Sequence, residues 1–218
     1  NYFNGRTYFF EDEAPAFLKE NESFFQSEIG TNVYSEGKLY TGLSFGTNVY
    51  NYYQTNTFSR SDTADQTNYN YWSPYTSFEV NTLNKKQFAN RGLHILLNLR
   101  YVGGTESHFP GSTSQKFKAS QDYDYRGSNN YLRLKLQYEN YFLHISRLHF
   151  GLYVEGVLSN QKFLNNYTSS ILAAEQFSPT LESQALFLPN YRAYNYGAGG
   201  AILSIDLLSR LAFRTEAY

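Results

Sequence analysis

An all-β, antiparallel transmembrane barrel is the fold class that the 218 residues predict, on three observations. Apolar and polar residues alternate with period two from end to end, short and long connections take turns between the alternating segments, and the polar partners include full charges. The stretch YLRLKLQYE shows the pattern most plainly: Leu132, Leu134, Leu136 and Tyr138 alternate with Arg133, Lys135, Gln137 and Glu139.

Nine strands are expected, near 2–10, 24–34, 39–53, 69–83, 92–103, 131–141, 148–158, 194–207 and 210–218. The first is joined to the second by a polar stretch, 11–23, and the second to the third by the tight Ser35-Glu36-Gly37-Lys38. Connections 54–68 and 84–91 follow, then 104–130, a short turn near 142–147, the long 159–191 and a tight Leu208-Ser209. A sandwich has no reason to gather its long loops at one end, whereas an outer-membrane barrel has short turns at one rim and long loops at the other. Helical spacing of apolar residues shows only around 169–175. An odd number of antiparallel strands leaves the first and last running the same way and cannot close a simple up-and-down barrel, so nine strands predict a partial barrel, a count wrong by one being the alternative, and 1–218 is read as one such domain.

The two faces of each strand are chemically distinct. Leu93, Ile95, Leu97, Leu99 and Tyr101 alternate with His94, Asn98 and Arg100; Phe150, Leu152, Val154 and Leu158 alternate with Tyr153 and Glu155; Leu211 and Phe213 oppose Arg214 and Glu216. Burying Arg100, Arg133, Lys135, Glu139, Glu155 and Arg214 in a dry core would cost several kcal/mol per unpaired ion, so these residues are expected to line a hydrated lumen. A soluble sheet with one solvated face is the alternative. Tyr50, Tyr52, Tyr53, Tyr69, Tyr71, Trp72, Tyr138, Tyr141, Tyr191, Tyr194 and Tyr196 cluster near strand ends, where aromatic girdles are expected.

The formal net charge of -1 gives no electrostatic reason to expect nucleic acid. There is no cysteine, so disulfides and thiolate chemistry are excluded. No apolar run approaches the roughly 18 residues of a membrane-spanning helix, which leaves a barrel open, since barrel strands need only about 9 to 11 residues. The chain starts at Asn1 and contains no methionine, from which a processed or internal segment is expected.

Catalytic signals are weak. GLSFG, 42–46, matches the hydrolase pattern G-x-S-x-G, but Ser44 sits within an alternating run rather than at a strand-to-helix turn. His94, His108, His144 and His149 are scattered without metal-ligand spacing. Asp122 and Asp124 lack the rest of a calcium loop, Arg126-Gly127-Ser128 reads as a turn, and the Asn166-Tyr167-Thr168 sequon is of a kind that arises by chance. No cofactor and no catalytic residue is expected.

Residues 156–200, GVLSNQKFLNNYTSSILAAEQFSPTLESQALFLPNYRAYNYGAGG, resemble the C-terminal barrel of patatin-like phospholipases, within the barrel-assembly (bacterial surface antigen) superfamily. SEIGTNVYSEGKLYTGLSFGTN (27–48), YQTNTFSRSDTADQT (53–67), NTLNKKQFANRG (81–92), YVGGTESHFPGSTS (101–114) and RLAFRTEAY (210–218) extend the resemblance over nearly the whole chain. The resemblance implies a Gram-negative outer-membrane barrel of about sixteen strands, with this chain covering a middle stretch. It also implies a catalytic serine and aspartate in a patatin domain outside these residues. Expected partners are outer-membrane lipids and other outer-membrane or periplasmic proteins, or a second copy of the chain. A barrel acting purely in transport or assembly is the alternative. In the superfamily an Arg-Gly-aromatic loop tip folds into the lumen and pairs with an acid; here Arg192-Ala193-Tyr194 stands at that place, with alanine for glycine, and Glu216 is the expected acid.

Overall fold

A computed structural model of the chain describes residues 2–9, 17–53, 59, 61–114, 125–180, 183–184, 188–208 and 211–218. Period-two alternation gives strands throughout: β1 (Tyr2–Phe9), β2 (Phe17–Tyr34), β3 (Gly37–Tyr52), β4 (Asp65–Asn81) and β5 (Gly92–Phe109), then the short β6 (Tyr125–Ser128). After these come β7 (Tyr131–Ile145), β8 (Leu148–Ser159), the helix α1 (Tyr167–Ala173) and β9 (Glu175–Gln176). A 3-10 turn at Pro189–Tyr191 leads into β10 (Arg192–Ala193), β11 (Tyr196–Leu208) and β12 (Leu211–Ala217).

One antiparallel sheet holds the strands in the order β1-β2-β3-β4-β5-β7-β8-β11-β12, with β6 paired to β5 off the main path. All nine strands expected from periodicity are present, and several run further than expected. β2 begins at Phe17, β4 at Asp65 and β5 ends at Phe109, because polar residues that look like loop in sequence continue the hydrogen-bond ladder. The Arg126-Gly127-Ser128 stretch, expected as a turn, is instead strand β6 and pairs with Thr105–Ser107 of β5. Asp122 and Asp124 lie outside the described residues.

Connections at one rim are short: Ser35-Glu36, Ser146-Arg147 and the gap between β11 and β12, joined there by 82–91. The opposite rim carries the long connections, the largest being 160–195, which holds α1, β9 and β10. β1 and β12 are the two edges, both running toward the long-loop rim, and the sheet is not closed.

The sheet curves. Arg100 on β5 reaches across β4 to donate to Ser44 Oγ on β3 at 3.2 Å, and Tyr75 on β4 reaches across β3 to Glu28 Oε2 on β2 at 2.6 Å. Side chains two strands apart meet only on the concave side of a curled sheet. Segment 160–195 folds back onto that side, so that Leu164 and Leu172 pack on Tyr50, Tyr52, Tyr69, Val102 and Tyr131. At the other rim, connection 82–91 folds in the same direction and Ala89 packs on Tyr141 and Ile202. The concave face is therefore covered from both ends.

The convex face is of another character. Register places positions 25–33 of β2, 39–45 of β3, 72–80 of β4, 93–101 of β5, 132–138 of β7, 150–158 of β8, 197–207 of β11 and 211–217 of β12, taken at every second residue, on this side. No Asp, Glu, Lys, Arg or His is among them. Ile29, Leu99, Leu132 and Phe213 project into open space here, Ile29 with 80% of its surface exposed. Toward the long-loop rim the belt ends at Phe45, Trp72 and Tyr101, with the last two rings 5.4 Å apart. Beyond them the same face turns polar: Thr47 donates to Asn70 Oδ1 at 2.7 Å, and Ser23, Asn68 and Thr105 share its parity.

The aromatic clusters expected as girdles divide between the faces. Trp72 faces outward, but Tyr50, Tyr52, Tyr69 and Tyr141 have concave parity and are nearly fully buried. Their hydroxyls explain the placement: Tyr69 donates to Asn129 O at 2.6 Å and Tyr141 to Glu139 Oε1 at 2.6 Å, partners that a lipid-facing ring would lack.

Candidate functional site

The charged residues that alternate with the apolar belt share the concave face. Cross-strand register sets Arg100 opposite Arg133 and Gln137 opposite Glu155, so a cluster assembles from β5, β7 and β8 without help from any loop. Glu155, 2% exposed, accepts from Gln137 Nε2 at 2.8 Å and from the Tyr153 and Tyr196 hydroxyls, and lies 3.5 Å from Lys135 Nζ. A buried carboxylate with a cation and three neutral donors is fully compensated.

The remaining cations are met from segment 160–195. Asn166 caps α1 by accepting from Thr168 N at 2.8 Å, so its side chain is occupied as a helix start. The helix stops at Ala174, and β9 pairs with β10 through Glu175 opposite Ala193 and Gln176 opposite Arg192. That two-residue ladder aims Glu175 at the sheet, where it forms an ion pair with Arg133 and accepts from Lys135 Nζ at 3.2 Å. Burial works to raise the Glu175 pKa, but Arg133 and Lys135 outweigh it and hold the carboxyl below its ordinary value of 4.5. Phe177 then inserts among Tyr153, Tyr196 and Tyr218, with ring centroids 6.1 to 6.3 Å apart.

Arg192 does not meet Glu216. Its guanidinium donates to Leu172 O at 2.7 Å, Ala174 O at 3.2 Å and Gln176 Oε1 at 3.1 Å, clamping the C-terminal end of α1. Glu216 instead pairs with Arg214, its neighbour of like parity, and accepts from Tyr218 at 3.0 Å. Register explains the correction: Glu216 lies opposite Ile202, six residues along β11 from Tyr196, which puts about 20 Å of strand between it and the loop. Arg214 also donates to Ala89 O and lies over the Tyr141 ring, so it holds connection 82–91 rather than the long one.

Of the expected luminal charges, the structure brings Arg133, Lys135 and Glu155 together with Glu175, sets Arg100 beside them, and leaves Glu139 and Arg214 toward the short-turn rim. Two cavities flank the cluster, about 480 Å³ under segment 160–195 and about 660 Å³ toward the short turns, and Arg100, Arg133 and Lys135 line both.

Sequence reasoning missed Glu175 and the Asp206–His149–His144 chain. Glu175 had no signal beyond the helical spacing around it, since its direction is set by a two-residue ladder. His149 Nε2 lies 3.0 Å from Asp206 Oδ2, and the Nδ1 atoms of His149 and His144 lie 3.0 Å apart. Asp206 shares the parity of Ser204 and Ile202, so its inward direction could have been read from β11. Among the described residues no group of three or more His, Asp or Glu is placed to hold a metal ion. Ser44 is buried in mid-strand and donates to Ser73 O at 3.3 Å, without the exposed turn that a nucleophile needs.

No family model matches the chain, and no curated protein sequence matches it.

Proposed function

We propose that the chain forms part of the wall of an outer-membrane β-barrel whose lumen is occupied by segment 160–195. The observation that carries the proposal is the convex belt: eight consecutive paired strands present mainly apolar side chains and no Asp, Glu, Lys, Arg or His, and on β3, β4 and β5 the face becomes polar beyond Phe45, Trp72 and Tyr101. From Leu93 to Tyr101 the belt spans nine residues of β5, within the roughly 9 to 11 that a tilted barrel strand needs to cross a bilayer core. A soluble protein rarely leaves so continuous an apolar surface exposed. Outer-membrane lipid is the partner that such a surface fits.

The parallel directions of β1 and β12 mean that an antiparallel barrel closes only through an odd number of further strands, in keeping with the even counts of bacterial barrels, and the resemblance implies a total of about sixteen. The resemblance to patatin-like phospholipases makes anchoring a lipid hydrolase, and presenting lipid or passing product, the leading role. Chemistry would then belong to a domain beyond these residues. The covered lumen favours a second reading, a gated barrel for transport or assembly without hydrolase activity, because a plug on a charged inner wall suits controlled passage.

Fractionation of cells producing the full-length protein tests the membrane assignment. The protein is expected in the outer membrane, extracted only by detergent and migrating faster before boiling than after; release by salt or alkali alone would sink the proposal. Phospholipid hydrolysis by the purified full-length protein separates the two roles.

A further inference from the structure

We propose that the convex face carries a binding groove for the uncharged sugar headgroup of a glycolipid, built on Trp72 where the apolar belt ends. The inference rests on the membrane reading above, because the acyl chains of such a ligand would lie along the belt and only its sugar in the groove.

Two neighbouring rows of the sheet make the groove. In the first, register sets Phe45 opposite Trp72 and Trp72 opposite Gly103. Gly103 decides where the indole lies: a Cβ built there would stand 2.5 Å from Trp72 Nε1 and 2.8 Å from Cε2, so only a residue without a side chain lets the ring cross onto β5. Tyr101 supports the ring from the belt side, with centroids 5.4 Å apart. Trp72 is 47% exposed, which leaves an aromatic surface open to the outside. In the second row Thr47, Asn70, Thr105 and Ser128 are paired in turn across β3, β4, β5 and β6. That row lies two residues, about 7 Å, beyond the first. Together the rows line a groove of about 610 Å³, within the roughly 300–1,000 Å³ of small-ligand sites.

Most hydrogen-bonding groups of the second row are unused. Thr47 donates to Asn70 Oδ1 at 2.7 Å, and Asn130 Oδ1, at the edge of the groove, accepts from Gly104 N at 3.0 Å. The side-chain amide N–H groups of Asn70 and Asn130, the indole N–H of Trp72 and the hydroxyls of Thr105 and Ser128 have no partner among the described residues. They can be reached, since Asn70, Ser128 and Asn130 are exposed. No Asp, Glu, Lys, Arg or His lines the groove, and Arg126, the next residue of β6 on this face, stands outside it. A phosphate would find no cation in the groove and an ammonium no acid. A sugar presents hydroxyls that both donate and accept, and a C–H face whose partial positive charge suits the negative face of an indole. An aromatic ring at the edge of the belt is expected of any barrel wall, but the glycine beneath Trp72 and the unpartnered amides beside it are not.

Isothermal titration of the full-length protein in lauryldimethylamine oxide, a detergent without sugar, tests the groove with monoglucosyl and monogalactosyl dioleoylglycerol, against dioleoylglycerol and methyl glucoside. At least one glycolipid should bind saturably and about tenfold tighter than either comparator. Trp72→Ala should abolish that preference, and Asn70→Ala should reduce it severalfold. Gly103→Ala keeps every group offered to the sugar but displaces the indole, so a lost preference in this variant supports the groove even if Trp72→Ala fails to fold. Ile29→Ala, on the belt of β2, should leave the preference unchanged. The proposal is overturned if neither glycolipid binds tighter than dioleoylglycerol, or if Ile29→Ala loses as much as Trp72→Ala. An unchanged preference in Trp72→Ala, or in both Gly103→Ala and Asn70→Ala where that variant does not fold, would overturn it too. Methyl glucoside bound as tightly as the glycolipids would replace the glycolipid with a free saccharide. Any of these results in a protein that fractionates with the outer membrane removes the groove and leaves the membrane reading standing, whereas release by salt or alkali alone removes both.

Discussion

The two faces of β7 are made by one backbone and one ladder, yet they are stabilised in opposite ways. Outward, Leu132, Leu134, Leu136 and Tyr138 belong to a surface with no Asp, Glu, Lys, Arg or His, where Asn140 donates to the Tyr138 hydroxyl at 2.9 Å. Inward, Arg133, Lys135, Gln137 and Glu139 each engage a named group: Glu175, Glu155 and Glu175, Glu155, and Tyr141. The outer face is defined by what it lacks and depends on its surroundings, while the inner face is defined by pairs and depends on a loop. A substitution outside should thus respond to depth in the belt, and one inside to the identity of the lost partner.

The largest effect is expected from putting a charge on the outer face. On the proposed membrane reading, Leu134→Arg, in the middle of the belt on β7, should destabilise the protein folded into lipid vesicles by about 2–4 kcal/mol, against about 0–1 kcal/mol for Asn70→Arg beyond the Trp72 boundary. Equilibrium unfolding in urea from vesicles gives both values. Equal costs at the two positions would erase the distinction between belt and rim.

An intermediate effect is expected inside. Glu175→Gln leaves the Arg133 and Lys135 heads without their shared acid and removes two charge-assisted hydrogen bonds. The groups are about one-fifth to one-quarter exposed, so a cost of about 1–3 kcal/mol to docking of segment 160–195 is expected, below that of a fully buried pair. Hydrogen exchange at residues 167–176 should rise while the β7–β8 ladder remains protected. Acid should imitate the substitution. Because the docked Glu175 has a pKa below 4.5, its contribution is complete above that value and is lost as pH falls through the lowered one. Exchange in α1 should therefore accelerate on acidification in the wild type and respond less in Glu175→Gln.

The outer face was legible in the sequence because period two is a property of the backbone: once the strands pair, Leu93 and Leu132 face one way and Arg100 and Arg133 the other. Strand ends were less legible, since Asn68 and Thr67 extend β4 with residues that elsewhere make loops. The partners of the inner charges were hardest to read. Glu175 reaches Arg133 through a two-residue ladder, and Arg192 finds carbonyl oxygens within its own segment instead of the distant Glu216. Parity assigns a side chain to a face but gives no height on it, and the failed Arg192–Glu216 pair is an error of height.

The smallest effect concerns the element that carries Glu175. α1 has only seven residues, with no acid in its first turn and no base in its last, so it depends on its cap and on its buried Ser169, Ser170 and Leu172. Asn166→Ala removes the side-chain acceptor of the Thr168 amide and should cost about 1 kcal/mol. Because the cap lies outside the charged cluster, the loss should appear as faster hydrogen exchange in α1 with the Arg133–Glu175 contact still formed. Asn166→Asp, which keeps an acceptor and places a negative charge at the helix start, should restore protection. If Asn166→Ala instead released the whole of segment 160–195, the helix rather than the Glu175 ion pairs would be the anchor on the inner face, and the contrast between a self-sufficient outer wall and a partnered inner one would rest on packing of Leu172 more than on charge.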